Sequence, residues 1–212
     1  MTQEFPHGEP LVAPTRSRRT RAVLAGGSVL GIGAVVTLAA WTDDNWAGST
    51  FSGGTFAVES SASGIEGTFE SHDTSGDALA LDFRVDAANL SPTDSVAAPM
   101  VLRIDAESTH DATVALSSAS GTGANAENLT YGIVTVADAA ACTVDAEGTS
   151  RIVPAGTALG ATAGAQSFDL SRGPADSAGA PVVLCFQVTA GADLQQGGDA
   201  SALWQFTATT TD

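Results

Sequence analysis

The stretch Pro181-Val182-Val183-Leu184-Cys185-Phe186-Gln187-Val188 is almost unbroken in its apolar character. A short, continuous apolar run rich in β-branched residues suits a strand buried on both faces, so it predicts a central strand. Around it the pattern changes to alternation. Leu79-Ala80-Leu81-Asp82-Phe83-Arg84-Val85, Met100-Val101-Leu102-Arg103-Ile104 and Ala112-Thr113-Val114-Ala115-Leu116 alternate apolar and polar positions, as half-buried strands do. Tyr131-Gly132-Ile133-Val134-Thr135-Val136 is a further candidate, and Leu203-Trp204-Gln205-Phe206-Thr207-Ala208-Thr209 closes the chain. Gly, Ser, Thr, Ala and Asp punctuate these runs, and no window carries a helical period with caps. The pattern predicts an all-β protein, an antiparallel β-sandwich of jelly-roll-like or Ig-like kind. Of two Ala-rich stretches, Ala155–Ala165 contains Gly156, Gly160 and Gly164 and is expected to be a loop. Ala137–Ala141 is expected to form one short helical turn at most.

Cys142 and Cys185 are the two cysteines, and neither sits in a CxxC. An even count in an exported chain points to a disulfide, which here would close a loop of about 40 residues and add roughly 3–4 kcal/mol. Two reduced core thiols are the alternative. Apolar residues make up 43% of the chain and charged residues 15%. That balance is enough for a packed core and argues against wholesale disorder.

Charge falls in two blocks. All eight basic residues are arginines, four of them in Arg16–Arg21, and after Ala39 only four remain against 22 acidic residues. So acidic a surface repels phosphates, which excludes nucleic-acid function; the acidity is read as a solubilising surface, with loose divalent-cation binding or charge patterning between subunits as the alternatives. The absence of lysine excludes isopeptide cross-links, Schiff bases and a P-loop.

The N-terminus reads as an address. Arg16, Arg18, Arg19 and Arg21 form a positive region, and Ala22–Ala40 is an uncharged run whose Gly26, Gly27, Ser28, Gly31 and Gly33 temper its hydrophobicity. These are the ingredients of a secretory signal over residues 1–39, with n-region 16–21 and apolar region 22–39. Thr37-Leu38-Ala39 fits the small-x-small rule, so cleavage is expected between Ala39 and Ala40 by a signal peptidase. An uncleaved anchor is the alternative, because the run is just long enough to span a bilayer. It would be the only membrane contact, as the closing Thr209-Thr210-Thr211-Asp212 offers no apolar tail. A segment 40–59 and a sandwich domain 60–212 follow, and the product is expected outside the cell or on its surface.

The junction itself, Thr37 to Glu59, reads TLAAWTDDNWAGSTFSGGTFAVE. It resembles the corresponding junction of the TasA–camelysin family, exported proteins handled by a dedicated signal peptidase. In that family Ala-Trp/Phe-x-Asp precedes an aromatic residue and a Gly-Thr-Phe/Leu strand. The matching positions are Ala40, Trp41, Asp43, Phe51, Gly54, Thr55 and Phe56. Leu90-Ser91-Pro92-Thr93-Asp94 resembles the family's Leu-x-Pro-Gly-Asp turn, with Thr93 in place of Gly, and Leu203–Thr209 resembles its closing strand. Residues 121–180 carry no resemblance. The resemblance implies a jelly-roll-like sandwich and a structural role in surface fibres or biofilm matrix, each subunit lending its N-terminal strand to the next. That assembly strand would carry Trp41, Trp46, Phe51, Phe56 and Val58, aromatic surface that is costly to leave in water. Strand addition to a neighbour is one way to bury it, and folding back as the domain's own first strand is the other.

Nothing in the chain spells catalysis. His72 and His110 are the histidines of the mature part, and Ser71-His72-Asp73 cannot form a triad locally because neighbours in a strand point apart. GxSxG and HExxH are absent, so the zinc peptidase activity described for camelysin-type proteins finds no site here, and no cofactor is expected. Asp73 and Asp77, four apart across Gly76, are a weak calcium candidate beside an ordinary turn. The reading is a non-enzymatic fibre or matrix subunit that associates with itself, the alternative being a monomeric secreted or envelope-associated binding module or adhesin.

Overall fold

A computed structural model describes Ser49, residues 53–83 and residues 87–211. The signal segment, the expected cleavage site at Ala39 and Ala40, and Trp41, Trp46 and Phe51 lie outside the described residues. One compact unit spans Ser52–Asp212, so it begins inside the segment 40–59 separated in the sequence reading.

This unit is an antiparallel β-sandwich. Its strands are β1 (Val58–Ser61), β2 (Ser95–Ile104), β3 (Asp111–Thr122), β4 (Leu129–Val136), β5 (Ser150–Ala158), β6 (Phe168–Leu170), β7 (Val182–Ala190) and β8 (Ser201–Thr211). Five form one sheet in the order β1-β2-β7-β4-β5, and three form the other in the order β6-β3-β8. The chain changes sheet at every connection except β1–β2 and β4–β5, the crossing habit of jelly-roll sandwiches.

The quoted apolar stretch is β7, central in the larger sheet, with Cys185 paired to Pro99 of β2 and to Val134 of β4. Leu184, Cys185 and Phe186 are all fully buried. Burial on both faces explains why its sequence does not alternate. Pro99 is tolerated in β2 because β1 ends at the partner of Val101, leaving Pro99 one neighbouring strand instead of two.

The main core lies between the sheets around Ile104, Val114, Tyr131, Ile133, Ile152, Leu170 and Phe186. A smaller cluster on the outer face of the large sheet joins Ala97, Val134, Cys142 and Cys185. There the Cys142–Cys185 disulfide, its Cα atoms 5.1 Å apart, pins the β4–β5 connection to the sheet. Gln187 reinforces it by donating from Nε2 to the carbonyls of Thr143, Val144 and Ala146.

Two expectations need correction. Ala155–Ala165 is not all loop, since β5 runs on to Ala158. It does so through a register irregularity between its pairings with Tyr131 and Ile133, where Gly156 takes φ 83°. The glycine marks a bulge within a strand, not its end. Leu79–Phe83, read as strand, pairs with no neighbour, and Arg84 and Val85 lie outside the described residues. By contrast, Ala139–Ala141 is a single 3-10 turn, capped by the Asp138 side chain accepting from the Ala141 N–H.

Candidate functional site: an open groove beside the last strand

Among the described residues five strands lie against three, which leaves part of the larger sheet without a strand opposite it. β8 is an edge of the smaller sheet, hydrogen-bonded to β3 alone over its eleven residues. Its even-numbered side chains face inward. Trp204 packs its ring against Phe186 and Tyr131, with centroids 4.9 and 5.4 Å away, and Phe206 meets Phe186 edge-on at 6.2 Å. Yet Ala202, Trp204, Phe206 and Ala208 are only half-buried, and among the described residues no strand closes the sandwich beyond them.

A void of about 1090 Å³ occupies that flank. Val58 of β1 and Met100 and Leu102 of β2 line it from the larger sheet, and Trp204 and Phe206 line it from β8. Leu203, Gln205 and Thr207, on the outward face of β8, reach the same void, so the free edge of the strand runs along it. Among the described residues the buried indole Nε1 of Trp204 has no hydrogen-bond partner of normal geometry. The Tyr131 hydroxyl donates to the Ala161 carbonyl at 2.6 Å, and burial raises its pKa above the ordinary phenol value.

The edges of the sandwich differ sharply. β1 has four residues and β6 three. β5 carries Arg151, Pro154 and its register irregularity. Such features block unwanted strand pairing. β8, Ser-Ala-Leu-Trp-Gln-Phe-Thr-Ala-Thr-Thr-Thr, has no charge, proline or glycine. It is an unprotected edge on a chain of net charge −16.

The residues just before β1 are stitched to their own domain. Thr109 N–H donates to the Thr55 carbonyl, Asp105 N–H to the Ala57 carbonyl, and Ala57 N–H to the Ser108 hydroxyl. The Thr55 hydroxyl also donates to the Glu107 carbonyl. Phe56 packs against the core and Val58 opens β1 opposite Ile104. Of the five residues predicted for an assembly strand, these two therefore sit within the domain that carries them. Behind them Arg103 forms a hub. Its Nε donates to Glu59 at 2.6 Å, its two terminal nitrogens to Glu66 at 2.7 and 2.8 Å, and its guanidinium stacks over Phe69.

The titratable residues singled out in the sequence do not converge. His72 Nδ1 meets the Asp77 carbonyl at 2.6 Å and the Asp77 carboxylate at 3.9 Å, away from any triad arrangement with Ser71 and Asp73. Among the described residues no three His, Cys, Asp or Glu side chains come together as metal ligands. Asp73 precedes, and Asp77 ends, an exposed 3-10 turn, Ser75–Asp77. Sequence reasoning missed the free edge of β8 and the Arg103 hub. The first had a legible sign, an uncharged strand of eleven residues at the end of an acidic chain.

The fold and this flank define a disulfide-stapled β-sandwich with one open side. No known protein family matches the chain, and no curated protein is similar to it in sequence. The resemblance to TasA–camelysin proteins thus rests on the junction, turn and closing-strand residues quoted above alone.

Proposed function

We propose that the chain is an exported structural subunit of surface fibres or extracellular matrix, each copy filling the open flank of the next with residues N-terminal to its own sandwich. The observation that carries this reading is the unpaired, uncharged β8 edge beside an apolar void. An extended segment placed there would gain ladder hydrogen bonds from β8 and side-chain burial against β1 and β2. Because the domain holds its own chain from Thr55 onward, residues 40–54 are what a subunit can lend without unfolding. Fully extended they span about 50 Å, long enough to leave one domain and run along β8 of another. Such a head-to-tail contact does not close on itself and propagates as a filament. The disulfide fits the oxidising surroundings of an exported protein.

Electron microscopy of Ala40–Asp212 at rising concentration, beside a version lacking Ala40–Phe51, tests the reading. Filaments from the first alone are expected. Monomers from both would turn the assignment to the second reading, a monomeric binding module or adhesin. The stitching of Thr55–Ser61 into its own domain favours that alternative.

A further inference from the structure

The groove is not bare. Leu79-Ala80-Leu81-Asp82-Phe83 crosses it between two 3-10 turns, Ser75–Asp77 and Ala87–Asn89. The sequence alternation survives in the burial: Leu79, Leu81 and Phe83 are half-buried, while Ala80 and Asp82 are exposed. Leu81 and Phe83 pack against the main core, and all three apolar side chains line the void together with Trp204 and Phe206. Among the described residues, however, no main-chain N–H or C=O of Leu79–Phe83 is hydrogen-bonded to the rest of the chain. Every other alternating run in this chain is zipped into a ladder; this one contributes side chains alone.

We propose that Leu79–Phe83 is a strap that occupies the acceptor groove in the free subunit and must yield when a strand from a second copy enters. This rests on the assembly reading above and adds its control. The strap shields the apolar inner face of β1 and β2 from water while leaving the edge of β8 unpaired. An incoming strand makes the same kind of side-chain contacts and also pairs with β8, so it outcompetes the strap wherever its local concentration is high. Asp82, exposed in the middle of the strap, suits a segment held by one face only, because a charge there opposes pairing with further strands. A subunit whose groove is occupied nine-tenths of the time binds a donor roughly tenfold more weakly than one whose groove is open. The strap therefore sets the concentration at which subunits join, keeping them apart until they accumulate.

The test uses mature Ala40–Asp212 carrying Phe83→Ser, with Phe83→Leu as the variant that keeps an apolar anchor and Leu79→Ser as a milder loosening should Phe83→Ser fail to fold. The threshold concentration for filaments is measured by sedimentation, and exchange of the β8 amides is followed by hydrogen–deuterium mass spectrometry. The expected result is a threshold lowered by roughly tenfold for Phe83→Ser, lowered less for Leu79→Ser and unchanged for Phe83→Leu. The β8 amides that point away from β3 should exchange freely in every monomer and become protected in filaments. Filaments that form at one threshold for all variants, or at a higher one for the serine variants, overturn the strap and leave the assembly reading standing. Absence of filaments from every version, with β8 never protected, overturns both.

Discussion

Thr93 holds a conformation that suits glycine. Ser91-Pro92-Thr93-Asp94 is a turn in which the Asp94 N–H returns to the Ser91 carbonyl at 3.0 Å, with Pro92 second and Thr93 third at φ 75°. Proline second and a positive φ third are what a type II turn requires, and the third place ordinarily falls to glycine. The Asp94 carboxylate accepts from the Ser91 N–H, and the Thr93 N–H reaches the Ala190 carbonyl, so the surroundings fix the turn whatever residue occupies it. A β-branched residue there costs about 1–2 kcal/mol, whereas glycine loses roughly 0.5–1 kcal/mol more backbone entropy on folding. Thr93→Gly should therefore stabilise the domain by about 0.5–1 kcal/mol, raising its melting temperature by about 2–4 °C per kcal/mol. Calorimetry showing no rise would mean that the exposed Thr93 side chain stabilises this turn in some other way. The turn expected at Leu90–Asp94 is thus present, with a third position that makes the conformational demand glycine ordinarily meets.

Among the elements, what could be read in advance depended on where the information was stored. β2, β3, β4, β7 and β8 announced themselves because alternation, or a run of apolar residues, reports burial directly. β5 and β6 did not: β6 has three residues, too few to carry a period, and β5 is interrupted by Pro154 and Gly156, while β1 was expected only as part of the strand segment 40–59. Leu79–Phe83 shows the limit of the same signal: its alternation correctly gave a buried face and wrongly implied a ladder, because side-chain burial and main-chain pairing are separate facts. The open flank was legible only through the uncharged β8 strand, since the flank itself arises from the count of strands in two sheets, which no single segment encodes. At β1 an arginine does much of the holding. Glu59 lies opposite Arg103 in the ladder, and the same guanidinium grips Glu66 through two parallel bonds. Arg103→Lys keeps the charge but loses the planar fork and the stacking on Phe69, and should cost about 1 kcal/mol, most of it through the half-buried Glu59 pair. The hydrogen bonds from Arg103 hold the Glu66 carboxyl below its ordinary pKa. A carboxyl whose pKa is lowered on folding stabilises the fold fully above the unfolded-chain value, about 4.3, and loses that contribution as pH falls through the lower folded value. Stability of the native domain should thus decline more steeply below about pH 4 than that of Arg103→Lys. Denaturant titrations that show parallel acid limbs for the two would remove Glu66 from the account.

For the whole molecule the dominant fact is charge. Beyond Ala39 acidic residues outnumber arginines 22 to 4, so any two copies repel at a distance, and contact must be made through surface that carries no charge. In the proposed assembly β8 would supply such a strip, and the void beside it the apolar area that would give the contact its affinity. Association of this kind is opposed by long-range electrostatics and favoured by short-range burial and hydrogen bonding. The two respond oppositely to salt. At about 10 mM salt the screening length is roughly 30 Å, comparable to the domain itself, and at 150 mM it is about 8 Å. Raising salt across that range should speed assembly of Ala40–Asp212 and lower its threshold, with little further effect beyond about 0.5 M, where the charges are already screened. Light scattering at a fixed subunit concentration reads this directly. Assembly that slows as salt is added would mean that opposite charges, Arg151 and Arg172 against acidic groups of the next copy, draw the subunits together, and the uncharged β8 edge would then lose its place as the contact.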